Sequence, residues 1–110
     1  MRDTLGPFEY QVLQVLQLHP TDAYGVSIGD RLEERIGKRP SIGALYTTLD
    51  RLEAKGYVSS SWGEATAERG GRRKKYFKLE AAGQFAMTRT QAAYGATPQP
   101  AGSRPAWSEG

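Results

Sequence analysis

The chain has 110 residues, with 15 Lys and Arg against 12 Asp and Glu, one His, no Cys and a formal charge of +3. That length supports one domain. Zero Cys excludes disulfides and thiolate metal sites, and the lone His19 cannot build the usual zinc sites. No apolar run approaches the roughly 20 residues needed to cross a bilayer, and the opening stretch MRDTLGPFEYQ lacks a signal-peptide core.

Two asymmetries organise the rest. Of the 19 Leu, Ile, Val and Phe residues, 16 fall within residues 1–58, so the core is concentrated in the first half. Charge is as uneven: residues 1–58 hold seven basic and eight acidic groups, whereas RGGRRKKYFK at 69–78 holds six basic groups and no acid. A block that dense is a candidate polyanion contact.

In chain order, a first helix is expected over 5–18. Gly6 and Pro7 suit its start, because proline supplies a helical φ where its missing N–H is not needed. Phe8, Val12, Val15 and Leu16 form one buried face, widened by Leu13 and Leu18, and Pro20 ends the helix. A second helix is predicted over 22–36, with Asp22 as N-cap and Gly37 as stop. Tyr24, Ile28, Leu32 and Ile36 share its inner face, opposite Arg31, Glu34 and Arg35. Gly25, in its first turn, costs about 1 kcal/mol relative to Ala. It serves either close packing or the approach of something to the backbone.

The turn GKRP leads to a third helix over 42–55, capped by Ser41 and stopped by Gly56. Ile42, Leu45, Leu49 and Leu52 form its core face. The opposite face carries Gly43, Tyr46, Thr47, Asp50 and Ala54, offering Gly, Tyr and Thr where a solvated helix would carry Glu or Lys. It is a face made for contact.

The period then changes to two. Residues 57–62 alternate, with Val58, Ser60 and Trp62 on one side and Trp62 packing at the hairpin base. After GEATAERGG, the run RRKKYFKL forms a second strand with Phe77 and Leu79 together. A last helix is expected over 80–94, with Ala82, Phe85, Ala86, Arg89 and Ala93 along one stripe. Three prolines and three glycines from Gly95 onward predict a disordered tail over 95–110.

This order is a winged helix-turn-helix: mainly α with a small β-hairpin, three helices plus a two-stranded wing, then one further C-terminal helix. Residues 1–79 are the expected DNA-binding domain, and 80–94, with little else in the chain to bury against, the expected dimerisation helix. The third helix lays polar residues in the major groove, and its N-terminal N–H groups meet a phosphate. Lys38 and Arg39 flank the same backbone from the turn, and Arg72, Arg73 and Lys74 reach phosphates from the wing. Arg51 is either a further phosphate contact or the partner of a neighbouring acid, and Tyr24 either core or phosphate partner. The serine run at 59–61 has no base beside it. With no paired carboxylates, metal cluster or phosphate loop at usable spacing, an enzyme is not expected.

The stretches LGPFEYQVLQVL, AYGVSIGDRLEERIG, SIGALYTTLDRLEAKGYVSSSW and ERGGRRKKYFKLEAAG resemble the successive signatures of the PadR family of bacterial and archaeal transcriptional regulators, over about residues 5–90. The resemblance implies a cytoplasmic, dimeric repressor that associates with the nucleoid when bound. Its partner is a pseudo-palindromic double-stranded DNA operator, and it is relieved by a small-molecule effector such as a phenolic or planar drug-like compound. No cofactor, metal or membrane partner is implied. By position, Ser41, Gly43, Tyr46 and Thr47 fall on the recognition helix and its start, and Tyr24 and Gly25 near the phosphate track. Arg72, Arg73 and Lys74 fall on the wing. Phe8, Phe85, Met87 and Arg89 are the expected dimer contacts, although Phe85 and Met87 also suit a core within one chain. Two departures stand out: Glu80 replaces the Thr that commonly opens the last helix, and that helix is short. The competing reading is a winged-helix module for protein contact or RNA binding through its Arg/Gly-rich wing.

Overall fold

The computed structural model describes residues 4–63 and 73–94. Most of the expected wing loop, with Arg69 and Arg72, and the expected disordered tail lie outside the described residues. Three helices come first: α1 (Pro7–Leu18), α2 (Gly25–Ile36) and α3 (Ile42–Ala54). An antiparallel hairpin of β1 (Val58–Trp62) and β2 (Lys75–Leu79) follows, and then α4 (Ala81–Tyr94).

Each helix begins and ends for an identifiable reason. At α1, Glu9 reaches back so that its Oε1 accepts the Gly6 N–H at 3.0 Å, and proline occupies the first turn. At α3, the Ser41 hydroxyl accepts the Ala44 N–H at 3.1 Å. The helix closes when the Tyr57 N–H bonds the Leu52 carbonyl at 3.0 Å around Gly56 (φ 81°), a left-handed position that glycine occupies without strain. Gly37 (φ 85°) ends α2 in the same backbone region.

The start of α2 departs from expectation. Its N-cap is Tyr24, not Asp22. Residues 23 and 24 are first drawn out along β2: the Phe77 N–H bonds the Ala23 carbonyl at 2.8 Å, and Tyr24 forms an isolated bridge with Tyr76. Only then does the helix begin, with the Tyr24 N–H on the Ser27 hydroxyl at 3.0 Å. The two-stranded hairpin is thus bridged on its β2 side by the extended residues that lead into α2.

The core joins Val12, Leu13, Val15 and Leu16 of α1 to Ile28 and Leu32 of α2 and to Leu45, Leu49 and Leu52 of α3, closed by Val58 and Phe77. Three expected apolar residues lie outside it: Leu18 is 57% exposed and Ile42 60%, at the last and first positions of their helices, and Ile36, the last residue of α2, is half-buried.

The last helix is rotated from the expected stripe. Gly83, Ala86, Met87 and Thr90 turn inward, while Phe85 is 66% exposed. Met87, expected at an intersubunit seam, is 1% exposed within its own chain. Polar side chains fix the α4 docking on α1: the Leu5 N–H donates to Thr90 Oγ1 at 2.9 Å, Gln17 donates to Gln84 at 2.8 Å, and Gln91 donates to the buried Tyr10 hydroxyl. Glu80 opens the helix, and its carboxylate accepts the Ser59 hydroxyl at 2.5 Å, which ties α4 to β1.

Gly83 permits this crossing, since a Cβ there would press on the Tyr57 carbonyl and come within 2.8 Å of Leu79 Cδ1. Gly83→Ala should therefore lower unfolding free energy by about 1–3 kcal/mol through overpacking, and Leu49→Ala by about 2–5 kcal/mol through cavity formation. Urea denaturation followed by circular dichroism measures both.

Candidate nucleic-acid interface

The outer face of α3 is open. Ile42, Gly43, Ala44, Thr47, Asp50 and Arg51 are all exposed. A Cβ added at Gly43 would meet no heavy atom within 4 Å among the described residues, so close packing inside the chain does not require glycine there. Ser41, Gly43, Thr47 and Arg51 therefore share one accessible surface, as expected of a helix that enters a groove.

Tyr46 does not share it. Its side chain is half-buried and turned inward, with its hydroxyl against Gly25 and its ring centroid 6.4 Å from that of Phe77. The small residue in the first turn of α2 thus serves close packing. A side chain at position 25 would occupy the space of the Tyr46 phenol.

Tyr24 lies beside this contact and joins it to the wing. Its ring stacks edge-on against Tyr76, with centroids 5.4 Å apart at 65°, and Lys74 Nζ sits 4.4 Å above it. The wing base carries further cations. Arg73 donates from Nε to the Gly63 carbonyl at 2.9 Å, and its guanidinium lies 6.0 Å from the Trp62 ring. Lys75 Nζ lies 5.7 Å from the same ring. Trp62, expected to pack at the hairpin base, is instead 58% exposed and pairs with Lys75 in the last rung of the hairpin. Among the described residues, the Trp62 indole meets the Arg73 and Lys75 cations and not the core. Trp62 and Lys75 were missed as surface candidates because alternation assigns them to the same face as Val58 and Phe77.

Lys38 is exposed in the turn between α2 and α3, whereas Arg39 is engaged. Arg39 Nη1 donates to Asp30 at 2.5 Å and to Glu33 at 3.3 Å, and Nη2 donates to the Val26 carbonyl at 3.3 Å. The hydrogen bond to Asp30 raises the guanidinium pKa above its ordinary value. Arg72, the remaining wing candidate, lies outside the described residues. Of the expected dimer contacts, Phe8 is half-buried against the core, and Phe85 and Arg89 are exposed. Among the described residues no group of His, Cys, Asp and Glu could hold a metal ion, and no helix is long and apolar enough to cross a membrane.

Three helices with an open third one, followed by a two-stranded hairpin with a cationic base, define a winged helix-turn-helix protein. Residues 12–89 match the PadR-like family of transcriptional regulators, and the chain belongs to that family. The solved structures agree. A PadR-like transcription factor from Bacteroides fragilis is 27% identical, with a TM-score of 0.66 over 80% of each chain. RosR of H. salinarum is 30% identical, with a TM-score of 0.62 over 82% of this chain and 74% of RosR. A PadR family regulator from Clostridium difficile is 25% identical, with a TM-score of 0.62 over 82% of this chain and 90% of the other. No curated protein matches the sequence. Family membership supports a DNA-binding regulator and not an enzyme.

The contact between Tyr46 and Gly25 makes a testable pair. Gly25→Ala should destabilise the fold by about 1–3 kcal/mol. Combined with Tyr46→Ala it should cost clearly less than the sum of the two single changes, because the collision exists only when both side chains are present. A double-mutant cycle in urea measures the difference.

Proposed function

We propose that the chain is a dimeric, sequence-specific DNA-binding repressor acting in a bacterial or archaeal cytoplasm, on the nucleoid when bound. The observation that carries this reading is the open outer face of α3 beside a wing base crowded with cations. In a duplex complex, Gly43, Thr47 and Arg51 face the major groove, with Ser41 at the helix start where N–H groups meet a phosphate. Lys38, Arg73 and Lys74 neutralise the backbone on either side, joined by Arg72. Tyr46 and Tyr24 hold these elements in register. Phosphate contacts set the pose and the α3 face reads the bases.

Dimerisation through α4 is supported by Phe85, an exposed aromatic beside Ala81, Gln84 and Thr88 at a shallow recess of about 240 Å³. Relief by a planar aromatic effector would use the same recess. Dimer symmetry then gives a pseudo-palindromic operator, with half-sites about 34–36 Å apart or a multiple of that. The competing reading, protein or RNA contact through the wing, lacks a role for the open α3 face.

Fluorescence anisotropy on a duplex enriched from a random-sequence pool tests the reading. If about six phosphates are neutralised per dimer, log K should fall against log salt with a slope near −5. Replacing Arg73 and Lys74 by Ala removes four charges per dimer and should flatten that slope by about 3 to 4. Stronger binding to single-stranded RNA than to any duplex would count for the competing reading.

Phe85→Glu should shift the chain to monomer in analytical ultracentrifugation while its helical circular dichroism is kept, since Phe85 is largely exposed within one chain, and its melting temperature should cease to depend on protein concentration.

A further inference from the structure

Arg39 lies two residues before the cap of α3, in the turn opened by Gly37. Its guanidinium reaches away from α3 and lies back across α2. Val26, Gly29, Asp30 and Glu33, the residues beneath it, are spaced three, four and seven apart and so form one stripe of that helix. Each has a part in receiving it. Asp30 and Glu33 accept from Nη1, and the Val26 carbonyl accepts from Nη2. Gly29 leaves the space, since a Cβ there would come within 3.0 Å of Nη2.

The charge of this cluster argues against a phosphate contact. One guanidinium shared by two carboxylates carries a net negative charge, which does not attract a polyanion. A free phosphate-binding arginine would also need no cleared glycine on a neighbouring helix. Exposed ion pairs contribute little to global stability, so neither does the cluster account for the fold. What it does is join the entry of α3 to the outer face of α2. Tyr46 fixes the middle of α3 against the start of α2. Together the two contacts hold the helix at two points.

We propose that Arg39 is a positioning residue, which sets the angle of the recognition helix by docking the turn on the stripe formed by Val26, Gly29, Asp30 and Glu33. The proposal rests on the DNA-binding reading and deepens it. Arg39 then governs discrimination between sequences, which depends on base contacts, more than affinity for duplex as such, which depends on phosphates.

The test compares wild type with R39Q, G29A and the double variant D30N/E33Q, by anisotropy across a salt series. The probes are a duplex enriched by the wild-type protein from a random pool and a duplex of unselected sequence. The most discriminating variant is D30N/E33Q. It removes negative charge beside the interface, which by simple electrostatics strengthens binding to both duplexes. The docking role gives the reverse for the selected duplex, a fall of about tenfold in the selected-to-unselected affinity ratio. R39Q should lower the ratio similarly without flattening the salt slope. G29A, whose Cβ would press the flexible guanidinium tip aside by a few tenths of an ångström, should lower the ratio less than R39Q does, and it should not weaken the fold, because Ala is a better helix former than Gly.

An unchanged ratio in D30N/E33Q, with both duplexes bound more tightly by the same factor, would overturn the proposal. So would a flattening of the slope by about two per dimer in R39Q, the mark of a lost phosphate contact on each protomer. A lowered melting temperature with an unchanged ratio would also overturn it, by reducing the cluster to a stability element. Failure of the wild-type protein to enrich any duplex would sink the DNA-binding reading itself, and this proposal with it. That result is distinct because it appears before any variant is compared.

Discussion

The interface depends on a side chain placed over a position that has none. Tyr46 extends from α3 to the first turn of α2, where Gly25 leaves room for the phenol, and its ring also leans on Phe77 of β2. Recognition helix, supporting helix and wing meet at that point. Around it the chain adds links that each use a different interaction: the Phe77 N–H on the Ala23 carbonyl, the edge-on stack of Tyr24 on Tyr76, and the Lys74 ammonium over the Tyr24 ring. A rigid body results from parts that separately are too small to be rigid. A two-stranded hairpin is marginal by itself, and here it is held by the isolated bridge of Tyr24 to Tyr76 and by an aromatic wedge.

Charge is distributed around this body in a way that matches the division of labour. Acidic groups gather on the outer face of α2, where Asp30 and Glu33 are held by Arg39, and near the α3 end, where Glu53 accepts the Ser60 hydroxyl at 2.8 Å. Cations gather at the base of the wing, over aromatic rings that support their stems and leave their heads accessible. A polyanion approaching the molecule therefore meets an oriented field, although the total charge is only +3.

The helices were legible in the sequence because burial on one face imposes a period that apolar residues report directly, as with Leu45, Leu49 and Leu52. The same rule overextended at Leu18 and Ile42, where the period continues past the end of the packing surface. It failed on α4, whose inward face differs from the expected stripe by about one residue, or 100°. The inward face is Gly83, Ala86, Met87 and Thr90: three of these have small side chains that give little contrast between faces, and Met87, the one large apolar residue, was expected at a seam between subunits. The bridge that residues 23 and 24 make to β2 was not legible at all, since two residues carry no period. The inward turn of Tyr46 left one trace, the costly Gly25. The partner that required it lies 21 positions away in the chain, and only the packed structure joins the two. The docking of Arg39 was hidden for the same reason: in sequence it is one more cation in a basic turn.

The two faces of α3 answer to different demands. Its inner leucines are committed to the core, and its ends are set by the Ser41 cap and the left-handed Gly56. Among the described residues, Gly43, Thr47 and Asp50 on its outer face are exposed and stand outside the core. Substitutions at Gly43, Thr47 or Asp50 can therefore accumulate without passing through an unfolded ancestor. Such a helix can change what it reads while the protein around it stays the same, so related chains can diverge in their targets far faster than in their architecture.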